Sequence, residues 1–178
     1  TCDWSSDVCS SDLAYLENQY RGRAEVKKSW LLDKNEGLII LSGGMMGDVG
    51  QAILQEQNDI AMNALKDWAV HFKHRFYIEI QRVAEGEDKK NETRFINQSL
   101  ILAQTLEIPV VATQPIQFMD SEDYRAHEAR TCIAEGYIMA DNRRPKLFSH
   151  QQYFKNEAEM VNLFSDIPEA LQIGRAHV

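Results

Sequence analysis

Cysteine, long apolar runs and positive charge are all scarce in this chain, and each shortage removes a class of explanation. Three cysteines in 178 residues exclude a disulfide framework, and with Cys2 and Cys9 in a terminal stretch set aside below, Cys132 stands alone. A zinc site of the cysteine type is excluded with it. No apolar run approaches the ~20 residues of a membrane-spanning helix, and no signal peptide is visible, so the expected compartment is the cytoplasm with no membrane partner. Lys and Arg number 19 against 27 Asp and Glu, a formal net charge of −8. Such a segment gains little from counterion release on a phosphate backbone and is a poor candidate for a main DNA grip. There is also no internal repeat and no low-complexity segment.

What is present is one ordinary domain's worth of chain. A composition of 44% hydrophobic and 26% charged residues is that of a globular protein with a core. The two ends are set apart from it. Residues 1–13, TCDWSSDVCSSDL, and 173–178, IGRAHV, read as conceptual translations of short-read sequencing adapters, the second matching ATC GGA AGA GCA CAC GTC. Setting aside Asp3, Asp7, Asp12 and Arg175 moves the formal net charge from −8 to −6. Residues 14–172 are then the expected domain.

Within it, apolar patterning predicts three strands. Residues 38–41 and 110–112 are short continuous apolar runs bounded by turn residues, as buried strands read. Residues 75–82 alternate instead, with Phe76, Ile78 and Ile80 on one face and Tyr77, Glu79 and Gln81 on the other. Helical stretches lie between them. Residues 14–30 are helix-compatible but broken by Gly22, and a helix capped by Asn58 or Asp59 carries the stripe Met62, Leu65, Ala69, Phe72 with Trp68 beside it. Asn91 is expected to cap a helix ending at Leu106, with Phe95, Ser99, Leu102 or Ala103 and Leu106 inward, after a charged surface loop over 85–92. Asp120 or Ser121 caps the helix that follows the third strand. Capping boxes are expected at Ser149 with Gln152 and at Asn156 with Glu159, and Pro168 suits the first turn of a last short helix. Tyr153, Phe154, Met160, Leu163 and Phe164 supply packing. Strands alternating with helices give an α/β domain with a largely parallel sheet.

Each residue with chemical potential has a plainer explanation beside the functional one. The Ser42-Gly43-Gly44-Met45-Met46-Gly47-Asp48 run fits no phosphate-binding spacing, so tight turning with Asp48 as a helix cap is the expectation. His71 and His74 have no third ligand nearby. Glu79 reads as a solvated or hydrogen-bonded strand residue before it reads as a general base, and His127 pairs locally with Asp123 one turn earlier. Arg143, Arg144 and Lys146 form a small basic cluster of the kind usually found on a solvated loop.

Four blocks carry a resemblance: LIILSGGMMGDVGQAI at 38–53, RFYIEIQR at 75–82, IPVVATQPIQFMDSEDYRAHEARTCIAEG at 108–136 and DNRRPKLFSHQQYFKNEAEMVNLFSDIPEAL at 141–171. Over 36–171 the chain resembles the polymerase-and-histidinol-phosphatase (PHP) domain at the amino end of bacterial replicative DNA polymerases. The resemblance implies a distorted (β/α)7 barrel, of which this chain would hold only the carboxyl-terminal part, with strand edges left unpaired. It also implies where metal ligands would lie. Relatives with an intact phosphoesterase centre read Asn-Asp-Val-His-Phe where Gln114, Pro115, Ile116, Gln117 and Phe118 stand, and an Asp-His pair where Arg82 and Val83 stand. Ligand positions are thus lost at Val83, Pro115 and Gln117, and no catalytic, cofactor-binding or metal-ligating residue is expected in this chain. A degenerate scaffold follows from the resemblance, with the remainder of the polymerase chain and a proofreading exonuclease subunit as partners. Magnesium, DNA and deoxynucleotides would be handled by domains outside it. A stand-alone metal-dependent phosphoesterase and a non-catalytic interaction module are the alternatives.

Overall fold

The computed structural model describes residues 10–20, 22–33, 35–141, 146 and 148–172. Its centre is a parallel three-stranded sheet in the order β3 (Ile40–Leu41), β4 (Phe76–Ile80), β5 (Val110–Ala112). Between β3 and β4 run α3 (Asp48–Leu54) and α4 (Asn58–His71), and between β4 and β5 runs α5 (Asp88–Leu106). This is the α/β alternation that the apolar patterning predicts. Ahead of the sheet lie α1 (Ser10–Glu17), a two-residue hairpin of β1 (Gln19–Tyr20) and β2 (Arg23–Ala24), and α2 (Lys28–Asp33). Gly22, at φ +77°, turns that hairpin, which is why 14–30 is not one helix. After β5 come α6 (Tyr124–Glu135), α7 (Glu157–Leu163) and a 3₁₀ turn at Pro168–Leu171.

One apolar core joins the layers. Ile78 and Ile80 of β4 pack with Val49 and Ile53 of α3, Leu65 of α4, Phe95 and Leu102 of α5, and Phe72 and Phe164. The alternation of β4 is visible as buried and half-buried residues in strict turn. The flanking strands differ from expectation. Ile40 is half-buried and Leu41 exposed, and all three residues of β5 are half-buried, because both strands lie at the sheet's edges and only β4 has a neighbour on each side. Phe154 is likewise exposed, whereas Phe164 is fully buried and Tyr153, Met160 and Leu163 are half-buried.

Several expected helix caps are replaced by other contacts. Gly47, in extended conformation, is the N-cap of α3, and Asp48 is its first residue. A side chain at Gly47 would sit 1.9 Å from the Ser42 carbonyl oxygen, so no capping side chain fits there. Asp48 instead accepts from its neighbour's amide and from the Trp68 indole N–H at 2.9 Å, tying α3 to α4. Neither Asn58 nor Asp59 caps α4, whose N-cap is Gln57. Helix α5 begins three residues before Asn91, which is an exposed interior position. Ser149 and Gln152 bond to each other, but they close a turn and no helix follows. The Asn156 and Glu159 box forms in both directions at 2.8 and 2.9 Å, Asp120 and Asp123 form another, and Pro168 occupies the first turn as expected.

Candidate functional site

The carboxyl ends of the parallel strands are where α/β sheets place ligands and catalytic groups, so the site is built from there. At the end of β4 the chain reads Ile80, Gln81, Arg82, Val83. Gln81 donates through Nε2 to Glu79 Oε1 and to Thr113 Oγ1, both at 3.1 Å, and the Thr113 hydroxyl donates to the same Glu79 oxygen. The Ser42 hydroxyl accepts the Glu79 amide at 2.9 Å. Glu79 is a hydrogen-bonded strand residue, and Gly43 and Gly44, both at positive φ, turn the chain, Gly44 beside the Gln81 side chain.

Arg82 and Val83 serve as braces. The Arg82 guanidinium donates to both carboxylate oxygens of Asp166 at 2.7 Å, adds a bond to the Leu163 carbonyl at 2.6 Å and lies over the Phe164 ring. This planar two-toothed pair pulls the Asp166 carboxyl below its ordinary range. Val83 donates its amide to Glu92 Oε1 at 2.7 Å, and the Ala84 amide reaches the same oxygen at 2.8 Å. The Val83 carbonyl accepts from the Ser149 hydroxyl. Glu92 therefore lies 5% exposed inside the domain, not on a surface loop. An adjoining cleft of about 620 Å³ is lined by Arg82, Lys89, Glu85, Glu92, Asp166 and Gln151 among others, with both signs of charge and no convergent set.

The loop after β5 is stitched to the segment before α7. Gln114 donates to the Gln151 and Tyr153 carbonyls, the Pro115 carbonyl accepts from Gln152, and the Gln117 amide donates to the Gln152 carbonyl at 2.8 Å. Phe118 then pairs with Tyr153 in a parallel bridge. The Gln117 side chain is exposed, and proline supplies no donor atom from its side chain. Lys155 reaches the Gln151 carbonyl and lies over Tyr153, and burial lowers its ammonium pKa.

The remaining candidates separate in space. His71 bonds to the Asp67 carbonyl, while His74 sits in the following turn at φ +62°, so they share no helix face. His127 does not pair with Asp123, which bonds back to the Asp120 amide. Its ring is 8% exposed, packed against Phe118 and edge-on to Phe148, with Arg130 near Nδ1 and, among the described residues, no hydrogen-bond partner at Nε2. Of the basic cluster, Arg143 and Arg144 lie outside the described residues and Lys146 is exposed. Among the described residues no three His, Cys, Asp or Glu side chains come together as a metal-holding group.

Burial, and then Arg130, push the His127 imidazole below its ordinary value of 6.5. The folded state thus binds fewer protons than the unfolded one below that pH, so the stability is fully present above about pH 6.5 and declines as pH falls toward the folded pKa. Urea melts at pH 7.5 and 5.5 should show a smaller loss for His127→Phe than for the unaltered chain. An equal loss in both would place the pH dependence elsewhere. Arg82→Leu, which leaves the Leu163 carbonyl and Asp166 without their donor, should lower stability by about 1 to 3 kcal/mol in the same melts.

The PHP domain family matches residues 4–83. A DNA polymerase III subunit alpha from Pseudomonas aeruginosa is 40% identical over 158 residues, 89% of this chain and 13% of the relative. The protein of that name from Escherichia coli is 40% identical over 146 residues, 82% of this chain and 12% of the relative. The chain belongs to the DNA polymerase III alpha-subunit family, as part of its PHP domain. A third relative of the same name, from Vibrio cholerae, is 39% identical over 158 residues, again 13% of its length. The chain therefore spans about an eighth of the DNA polymerase III alpha subunits it matches. No helix among its described residues is long and apolar enough to cross a membrane.

Proposed function

We propose that this PHP segment is a catalytically degenerate scaffold of a DNA-directed DNA polymerase of the alpha-subunit family. The observation that carries the reading is the Arg82 clamp. Immediately before the lost ligand position at Val83, this chain places a cation whose fork is occupied by Asp166 and the Leu163 carbonyl. Val83, Pro115 and Gln117 do not fit a centre of two or three metal ions either, since the first two side chains carry no donor and the third is a neutral amide exposed to solvent. Hydrolysis of a phosphoester by bound metal needs several converging ligands to activate water and stabilise the leaving oxygen. That requirement counts against the stand-alone phosphoesterase.

In this reading primer extension from deoxynucleotides, with magnesium, belongs to parts of the polymerase outside the segment. The segment packs on the remainder of the chain, docks the proofreading exonuclease subunit and works in the cytoplasm, possessing no catalytic residue of its own. Cloning the uninterrupted reading frame and purifying its product tests the whole statement. The product should extend primed DNA with magnesium and co-elute with the proofreading subunit in gel filtration. A frame that stops soon after Leu171, or a product unable to extend a primer, would contradict the polymerase reading; loss of co-elution alone would contradict the docking role.

A further inference from the structure

Away from the strand ends, an open, shallow apolar trough of about 440 Å³ lies between the carboxyl-terminal ends of α4 and α5 and the residues just after them, lined by Ala69, Val70, Leu106 and Ile108 and flanked by Lys66 and Lys73. Its α4 side is a single stripe. Positions 66, 69 and 70 follow the i, i+3, i+4 spacing of one helical face, and Lys73 stands in the turn that follows the helix. This face is separate from the one that Ala61 and Leu65 bury in the core. Val70 is 76% exposed, a large apolar surface at the trough's lip. Lys66 stands on the stripe and Lys73 in the turn after it, and no carboxylate is among the described residues lining the trough, in a chain whose formal net charge is −8. None of the described ion pairs involves Lys66 or Lys73.

From this arrangement we infer that the trough is a docking site for an acidic amphipathic segment of a protein partner, its apolar side chains on Val70, Leu106 and Ile108 and its carboxylates toward Lys66 and Lys73. The inference rests on the scaffold reading and gives it a surface. An apolar floor supplies affinity once filled, while cations at the rim select the sign of the partner and speed its encounter.

The test uses the full-length polymerase and a fluorescein-labelled helical peptide built from leucine at helix-face spacing with glutamate at the other positions. Its control is the same peptide with lysine for glutamate. Fluorescence anisotropy should show saturable binding of the glutamate peptide only. Val70→Glu, and separately Lys66→Glu with Lys73→Glu, should each weaken it at least tenfold with unchanged circular dichroism and melting temperature, since all three side chains are exposed. Equal binding of both peptides, or undiminished binding by the variants, would overturn the assignment. The same variants separate this inference from the scaffold reading. Co-elution of the proofreading subunit with unaltered polymerase and with Val70→Glu alike would leave the docking role standing and remove the trough from it; failure to co-elute even with unaltered polymerase would remove the docking role itself.

Discussion

Gly50→Ala is expected to destabilise the domain by about 3 kcal/mol or more, in spite of gaining about 1 kcal/mol of helix propensity. Gly50 is buried in α3, where an added Cβ would lie 2.2 Å from the Gly44 carbonyl oxygen and 2.7 Å from the Met45 Cα. Both obstacles are backbone atoms of the turn that leaves β3, so no side-chain rotation relieves the clash. For a domain of this size the loss corresponds to a fall in melting temperature of roughly 6 to 12 °C. Gly86→Ala is the matched control, since a Cβ there meets nothing within 4 Å and only its φ of +61° opposes the change. It should cost about 1 to 3 kcal/mol and less than Gly50→Ala, measured side by side by thermal melting. A raised melting temperature for Gly50→Ala would mean that helix propensity wins and that the turn is not packed against α3 as described.

A second large effect is expected at Glu92. One carboxylate oxygen accepts both amides at the exit of β4, and removing it in Glu92→Ala leaves two part-buried N–H groups without an acceptor. Each orphaned donor costs about 1 to 3 kcal/mol, so a loss near 3 kcal/mol is expected in urea melts. Glu92→Gln keeps an acceptor of the same shape and should cost about 1 kcal/mol, the difference between a charged and a neutral bond. Hydrogen exchange reads the cause directly. The Val83 and Ala84 amides should exchange faster in Glu92→Ala, and unchanged exchange there would detach Glu92 from the brace.

Glu92 also shows where the sequence was hard to read. It closes the charged run EGEDKKNE, which has the composition of a solvated loop. Its position carried the missed signal, because it precedes Phe95, Ile96 and Ser99 by three, four and seven residues and so lies on their buried helical stripe. The strand β4 was legible because a period of two needs no knowledge of its neighbours, and the Asn156 and Glu159 box because its partners are three residues apart. The partial exposure of β3 and β5 was not, since an apolar run does not state whether its strand stands at an edge. Likewise Gln81 meets Thr113 only through the parallel register that sets Ile80 beside Ala112. Asp48 lost its expected cap for a steric reason local to Gly47, and His127 lost its partner because Phe118 and Phe148, distant in sequence, enclose its ring.

The central claim is that the positions where the family holds metal have become structural braces. Its most direct test is hydrolysis of 5′-labelled single-stranded DNA by the full-length polymerase purified free of its proofreading subunit, with and without a chelator. The account predicts no chelator-sensitive 3′ to 5′ shortening above the buffer control. Shortening that persists after the proofreading subunit is removed and stops with chelator would contradict it and give the segment a working metal centre.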